Sequence, residues 1–305
     1  MKRLIPLAFG AFVALTGIAS ASDAVDWVRD RLQSSADASC GIKRAAALST
    51  LQRIDGLELP ETGKALVVNI AAGVITAYED GIPVIESRAV VGNPETPTPE
   101  MTTFATFVRA NPTWTVPESI LRRKDWRSKL DRDPEYFDAA GFDVVLDGYK
   151  ISPYEAAGLS DRISRFVQRP GSQNALGLVK IGLHNANGIY LHDTNRPDAF
   201  LERIRSMSSG CVRVERVREI AAWVLGVSVS RMNNLIDSDD RTDRTPPLRV
   251  PVIIGYWTAW PDGSGHVRVY PDIYGKDEAA SECGYAVGSG GKNHRDIDWE
   301  EREVR

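Results

Sequence analysis

Two short motifs lie close together in this chain: Ile189-Tyr190-Leu191-His192-Asp193-Thr194 and, a short interval later, Ser208-Ser209-Gly210-Cys211-Val212-Arg213. The apolar and aromatic residues 189–191 are typical of a strand end, and the small residues 208–210 predict a tight loop that leaves the sulfur of Cys211 accessible. A neutral thiol is a poor nucleophile near neutral pH, so a thiol enzyme needs a neighbouring base or positive charge. His192 and Arg213 are the candidates for these two roles.

Each residue alone has a plainer interpretation, because a lone cysteine is often a small buried hydrophobe and a His-Asp pair can form a turn. Together, the order of His192, a short helical segment predicted over Pro197 to Met207, and Cys211 resembles the signature of the L,D-transpeptidases. This signature belongs to the YkuD-type catalytic domain, and the forms of the two motifs are similar to its YcbB-like Gram-negative branch. This resemblance implies a mainly β fold with helices (α+β), built on an antiparallel sheet with a helical or loop insertion. Asn195 stands where many members have proline, which predicts an altered loop.

The resemblance also implies an activity, that of a transferase acting on peptidoglycan. Cys211 would attack a tetrapeptide stem, His192 would protonate the departing D-alanine, and a second stem amine would resolve the thioester into a 3→3 cross-link. The other implied site residues are Ser209 and Gly210 for the oxyanion, and Tyr190, Ser208 and Arg213 for substrate. No cofactor is implied. Carbapenems acylate the cysteine of relatives, and the same is expected here.

Alternatives to cross-linking remain open at this point. An amine of an outer-membrane protein, or water, could resolve the same thioester, and a wall-binding protein could reuse the fold without catalysis. Asp193 is not assigned as a triad acid, because adjacent side chains on a strand point to opposite faces. A helix is predicted over Val214 to Leu225. If it begins just after the loop, its N-terminal dipole is expected to favour the Cys211 thiolate.

Composition and the N-terminus indicate an exported protein. The chain has 305 residues and a net charge of only −4, which argues against a nucleic-acid binder. Lys2 and Arg3, an apolar run and Ala19-Ser20-Ala21 predict a signal peptide over residues 1–21 and a periplasmic location. An oxidising compartment allows Cys40 and Cys283 to pair, leaving Cys211 free; two unpaired thiols are the alternative.

The remaining chain divides into segments by periodicity. Residues 22–60 predict one or two short helices, residues 64–275 the catalytic domain, and residues 276–305 a loose tail. An insertion is expected over about 117–169, with a charged helix over Glu118 to Leu130; a peripheral excursion and a substrate-covering lid are equally open.

His184 and Lys180 lie near the motifs and are two further site candidates. His184 is expected at the surface, since neither HExxH nor paired CxxC motifs occur and no metal site is predicted. Lys180 lies on a predicted strand, where its side chain either faces solvent or lines the cleft.

Overall fold

The computed structural model describes residues 20–239 and 241–279. Its strands are β1 (Lys64–Asn69), β2 (Val74–Glu79), β3 (Ile82–Gly92), β4 (Met101–Ala110), β5 (Trp114–Thr115), β6 (Phe142–Leu146), β7 (Tyr149–Ile151), β8 (Ile163–Gln168), β9 (Val179–Leu183), β10 (Tyr190–His192), β11 (Ser206–Ser208), β12 (Val212–Val214), β13 (Pro251–Gly255), β14 (Ala259–Pro261) and β15 (Val267–Val269). Its α-helices are α1 (Ala21–Asp37), α2 (Gly41–Arg53), α3 (Glu118–Arg123), α4 (Trp126–Arg132), α5 (Pro134–Ala139), α6 (Pro153–Ala156), α7 (Val217–Leu225) and α8 (Val229–Asp237). Within these ranges, none of the helices combines the length and apolarity needed to cross a membrane.

The main sheet has nine strands in the order β11-β3-β12-β10-β9-β4-β13-β1-β2, and it closes on itself because β2 also pairs with β3. Most neighbours are antiparallel, while β1–β13, β10–β12 and β11–β3 are parallel. The strands enclose the largest core, to which α7 contributes its apolar face through Ile220 and Val224. The predicted α+β class is therefore confirmed.

The N-terminal helices cover the outside of this sheet. Val28 and Leu32 of α1 pack with Val67 of β1 and with Trp257 in a second apolar core. Strand β1 is thus buried on both faces, which explains its nearly continuous apolar sequence. The predicted helical segment before the catalytic domain is present as α1 and α2.

The insertion has more regular structure than expected. It forms its own four-stranded sheet in the order β5-β8-β6-β7, starting at Trp114, together with α3 to α6. Its core is aromatic: the ring of Trp126 meets the rings of Phe137, Phe142 and Phe166 at centroid distances of 5.5, 5.2 and 5.9 Å. The single helix predicted over Glu118 to Leu130 is wrong, because Asp125 adopts a left-handed conformation (φ 48°) that ends α3 and starts α4.

Two other local predictions need correction. The segment predicted as helical over Pro197 to Met207 is a 3-10 helix only over Pro197–Leu201, and Met207 lies in β11. The described start of the C-terminal tail is not loose, since Asp277 forms an ion pair with Arg53 (2.8 Å) and accepts a hydrogen bond from Thr258 Oγ1 (2.9 Å). The rest of the tail, residues 280–305, lies outside the described residues.

Candidate active site

Strand β10 carries the predicted histidine between two partners that bring the other site residues to it. Its parallel pairing with β12 places Leu191 beside Val212 and His192 beside Arg213. Leu191 and Val212 point into the main core, so by alternation Tyr190 and His192 share the opposite face with Cys211 and Arg213. Diagonal neighbours on one face lie within reach of long side chains. The register thus brings together the two motifs that the sequence separates.

The loop Ser208–Cys211, here called the cysteine loop, is held by its own side chains. Ser208 Oγ donates to the Cys211 carbonyl (2.6 Å) and accepts from the Gly210 N–H (3.1 Å). Gly210 has a φ of 108°, a conformation that strongly favours glycine. Ser208 is buried, and its hydroxyl is used inside the loop. This placement speaks against the predicted direct contact of Ser208 with substrate.

A turn under the cysteine loop was missed as part of the site. Thr98 Oγ1 donates to the Gly210 carbonyl (2.8 Å) and accepts from the Gly92 N–H (2.8 Å). Tyr274 OH accepts from the Thr98 N–H (3.0 Å) and donates to the Gly92 carbonyl (2.7 Å). The Gly and Pro residues after β3 signalled a turn, but nothing in the sequence showed that this turn contacts the cysteine loop at Gly210.

The imidazole of His192 and the thiol of Cys211 are both neutral in the resting site. Burial, and next the positive charge of Arg213, lower the pKa of His192 to about 3, while the Asp193 backbone acts in the opposite direction. Burial raises the pKa of the Cys211 thiol, although hydrogen bonds from Tyr190 and the charges of Lys180 and Arg213 lower it. The thiol donates weakly to the Gly188 carbonyl at 3.7 Å. The expected thiolate is therefore not the resting form, because desolvation disfavours both charged groups.

Tyr190 joins the insertion to the cysteine. Its side chain interacts with both Cys211 and Trp114 of β5, and burial raises its pKa far above the usual range. A second link is the hydrogen bond that Arg123 of α3 donates to Ser209 Oγ (2.8 Å). The insertion thus contacts the cysteine loop directly. Neither Trp114 nor Arg123 was singled out from the sequence.

Of the two positions predicted for the Lys180 side chain, facing solvent or lining the cleft, the structure shows the second. In the β9–β10 register it lies opposite His192. Its Nζ is 4.0 Å from the centroid of the Tyr190 ring and 5.8 Å from that of Phe107. Burial lowers the pKa of this ammonium group, and the neighbouring Cys211 acts in the opposite direction.

Asp193 and the start of α7 both have positions away from the thiol. The Asp193 carboxylate accepts from the Leu178 N–H (2.9 Å) and the Thr194 N–H (2.8 Å), so it stabilises the chain beside β9 and β10. The predicted effect of the helix dipole is wrong, because β12 separates Cys211 from α7, which begins at Val217. A helix acts on charges only near its first turn.

Other sequence candidates lie away from this chemistry or outside the described residues. His184 stacks on Phe104 at 4.9 Å between ring centroids and is exposed. No cluster of three or more potential metal ligands occurs in residues 20–239 and 241–279. Cys211 is a free thiol. Cys283 lies outside the described residues, so the Cys40–Cys283 pair stays a prediction.

A free thiol and a neutral imidazole on one face of a closed sheet form the layout of a thiol-based acyl-transfer site. The family model described as the YkuD L,D-transpeptidase catalytic domain matches residues 63–254, which include both motifs. The chain belongs to this family, as its sequence indicated.

A curated relative is similar in sequence to part of this chain. A Haemophilus influenzae protein provisionally named an L,D-transpeptidase is 31% identical over 227 residues, covering 72% of this chain and 46% of the relative. This chain therefore spans under half the length of that relative.

Solved structures show partial overlap. An L,D-transpeptidase from Mycobacterium tuberculosis is 15% identical, with 63% of this chain and 57% of that chain covered at a TM-score of 0.30. An L,D-transpeptidase from Mycobacterium smegmatis is 17% identical, with 63% of this chain and 58% of that chain covered at a TM-score of 0.30. L,D-transpeptidase 3 from Mycobacterium tuberculosis, in complex with a faropenem-derived adduct, is 14% identical. The match covers 63% of this chain and 60% of that chain at a TM-score of 0.31.

Proposed function

We propose that this chain is a peptidoglycan L,D-transpeptidase whose nucleophile is Cys211 and whose acid–base group is His192. The observation that supports this most directly is that His192 ends β10 and Cys211 directly precedes its parallel partner β12, on the same face and within the family's catalytic domain. Peptide stems of the cell wall are the proposed substrates. The predicted signal peptide supports a periplasmic location, although residues 1–19 lie outside the described residues.

The first half-reaction forms the thioester. As Cys211 Sγ bonds to the carbonyl carbon of the acyl donor, its proton passes to the neutral imidazole of His192. The C–N bond to the terminal D-alanine then breaks, and the same proton goes to the leaving amine. The second half-reaction reverses these steps: His192 takes a proton from the attacking amine of a second stem and returns it to the sulfur as the C–S bond breaks.

The cysteine loop is proposed to stabilise the oxyanion that develops on the attacked carbonyl. The Gly210 N–H already donates to Ser208, which leaves the backbone N–H groups of Ser209 and Cys211 as the proposed donors. Losing one donor of this kind typically costs on the order of 10²–10³ in rate. Gly210 would then serve the site through its backbone conformation.

Arg213 gives the site a way to respond to substrate. Its positive charge is one cause of the low pKa of His192. A stem carboxylate bound by Arg213 would offset this charge. Substrate binding would therefore raise the pKa of His192 and make the imidazole a stronger base at the moment when a base is needed.

Intact-mass spectrometry with purified disaccharide-tetrapeptide tests this function. Wild type, Cys211→Ala and the nearly isosteric Cys211→Ser are incubated with the substrate, and products are analysed by fragmentation. We expect a 3→3 linked dimer from wild type alone, and a carbapenem adduct on wild type alone. An acyl-enzyme without dimer would instead indicate water or a protein amine as acceptor, which an added lysine-containing peptide distinguishes. No acylation by substrate or carbapenem would refute the enzymatic function.

A further inference from the structure

The cleft contains a lysine that has no anionic partner of its own. Lys180 lies on β9 opposite His192, half-buried, with its Nζ 4.0 Å from the Tyr190 ring centroid. No carboxylate of the described residues forms an ion pair with this Nζ, in contrast to Arg88 and Arg109 of the same sheet, which pair with Glu215 and Asp243. Burying a cation costs free energy unless something compensates it. A half-buried lysine without an ion-paired carboxylate would be stabilised by an anion that forms beside it.

The neighbouring charges do not supply that anion at rest. Arg109 stands opposite Lys180 on β4, but it is already neutralised by both carboxylate oxygens of Asp243, at 2.6 and 2.7 Å. Arg213 is a second cation, with Arg196 and Asp198 among the charges that act on it. Asp243 and Asp198 act on Lys180 and Arg213 through their charge, but these two carboxylates form their ion pairs with Arg109 and Arg196.

Tyr190 provides a direct connection from Lys180 to the sulfur. The ammonium lies over the face of the ring, where it interacts with the π electrons. The same side chain interacts with Cys211 and acts to lower the pKa of its thiol. A cation over the ring withdraws electron density from the phenol and so strengthens its O–H as a hydrogen-bond donor to a negative sulfur.

We propose that Lys180 is a positioning residue that stabilises the ionised form of Cys211, through its charge and through Tyr190. Lys180 and Arg213 both lie opposite His192 in the strand register, and of the two it is Lys180 whose ammonium lies over the Tyr190 ring. The inference rests on the proposed function in taking Cys211 as the nucleophile. It adds that Lys180 acts on the sulfur.

The test measures thiol ionisation without requiring turnover. The rate at which iodoacetamide alkylates Cys211 in the full chain is followed against pH, because the thiolate is the reacting form. Cys211→Ala gives the background from the other cysteines. Removing the charge in Lys180→Met should raise the apparent pKa of Cys211 and slow alkylation at pH 7 by about three- to tenfold. Lys180→Arg should keep the rate within about twofold of wild type.

A matched control comes from a second lysine that contacts a tyrosine ring. Lys129 Nζ lies 3.2 Å from the Tyr136 ring centroid, within the insertion. Lys129→Met removes a comparable contact and should leave the alkylation profile unchanged. Lys180→Gln repeats the measurement with a polar side chain in case Met disturbs folding, which thermal unfolding detects.

Coupling to Tyr190 is the second measurement. In a Tyr190→Phe background, which keeps the ring and removes the hydroxyl, Lys180→Met should slow alkylation by a smaller factor than in wild type. Superimposable pH profiles for wild type, Lys180→Met and Lys180→Gln would overturn the proposal, even if turnover falls, and would assign Lys180 to substrate binding. If Lys180→Met shifts the alkylation profile but peptide stems do not acylate the wild-type protein, this inference is upheld and the proposed function is refuted.

Discussion

Gly92, at the end of β3, supports the cysteine loop without taking part in the chemistry. A Cβ added there would lie 2.2 Å from the Thr96 carbonyl oxygen, 2.6 Å from the Thr98 nitrogen and 2.8 Å from the Pro97 carbonyl carbon. All three atoms belong to the backbone, so no side-chain rotation can relieve the overlap. The substitution Gly92→Ala must therefore displace the turn 96–98.

The cost of this displacement can be worked from the contacts that the turn makes. Overpacking of this kind typically costs about 1–3 kcal/mol. The turn also carries the Thr98 hydroxyl, which bridges the Gly92 N–H and the Gly210 carbonyl at 2.8 Å each. Losing one or two such bonds adds about 0.5–1.5 kcal/mol each. Gly92→Ala should thus lower the free energy of unfolding by roughly 1.5–6 kcal/mol.

The same displacement should reach the nucleophile. Because the Thr98 hydroxyl holds Gly210, moving the turn misplaces Cys211, and a misplacement of about 1 Å can cost ~10²-fold in rate. Urea unfolding measures the stability, and acylation by a carbapenem measures the reactivity of the cysteine. Gly263→Ala is the matched control, since a Cβ there meets nothing within 4 Å, and it should leave both quantities unchanged. An unfolding free energy within about 0.5 kcal/mol of wild type, with unchanged acylation, would refute the reasoning.

Three further predictions concern the insertion and the histidine. Trp126→Ala empties the centre of the aromatic core of the insertion and should lower the free energy of unfolding by about 3–5 kcal/mol in urea; a loss under about 1 kcal/mol would show that this core contributes little. Arg123→Ala breaks the hydrogen bond to Ser209 at 2.8 Å and should slow single-turnover acylation while changing the unfolding free energy by less than about 1 kcal/mol; unchanged acylation would contradict a role in holding the loop. His192 has a folded pKa of about 3 against a reference of 6.5, so below pH 6.5 the unfolded chain binds a proton that the folded chain excludes, and stability should fall by up to about 1.4 kcal/mol per pH unit down to pH 3. His192→Gln should flatten that slope in urea unfolding measured at several pH values, and an unchanged slope would assign the pH dependence to other groups.

Much of the fold could be predicted because its signals are local. The apolar runs of β1 and β6, the alternation in β2 and the apolar face of α7 are properties of neighbouring residues. The break at Asp125 could not be predicted in this way, since an aspartate at that position is compatible with a continuing helix until the packing around Trp126 is known. Met207 likewise joins β11 only because β3 lies beside it.

For the site, the sequence by itself determined the two residues of the proposed chemistry, Cys211 and His192, which stand in motifs whose order resembles the family signature. Only the tertiary structure decided their surroundings. Trp114, Lys180 and Tyr274 come from distant segments, and strand register and packing bring them to the cleft. The same structure decided the charge states, because burial, which depends on the whole fold, makes both central groups neutral at rest. Residue identity sets what a side chain can do, while solvent access and neighbouring charge set when it does so.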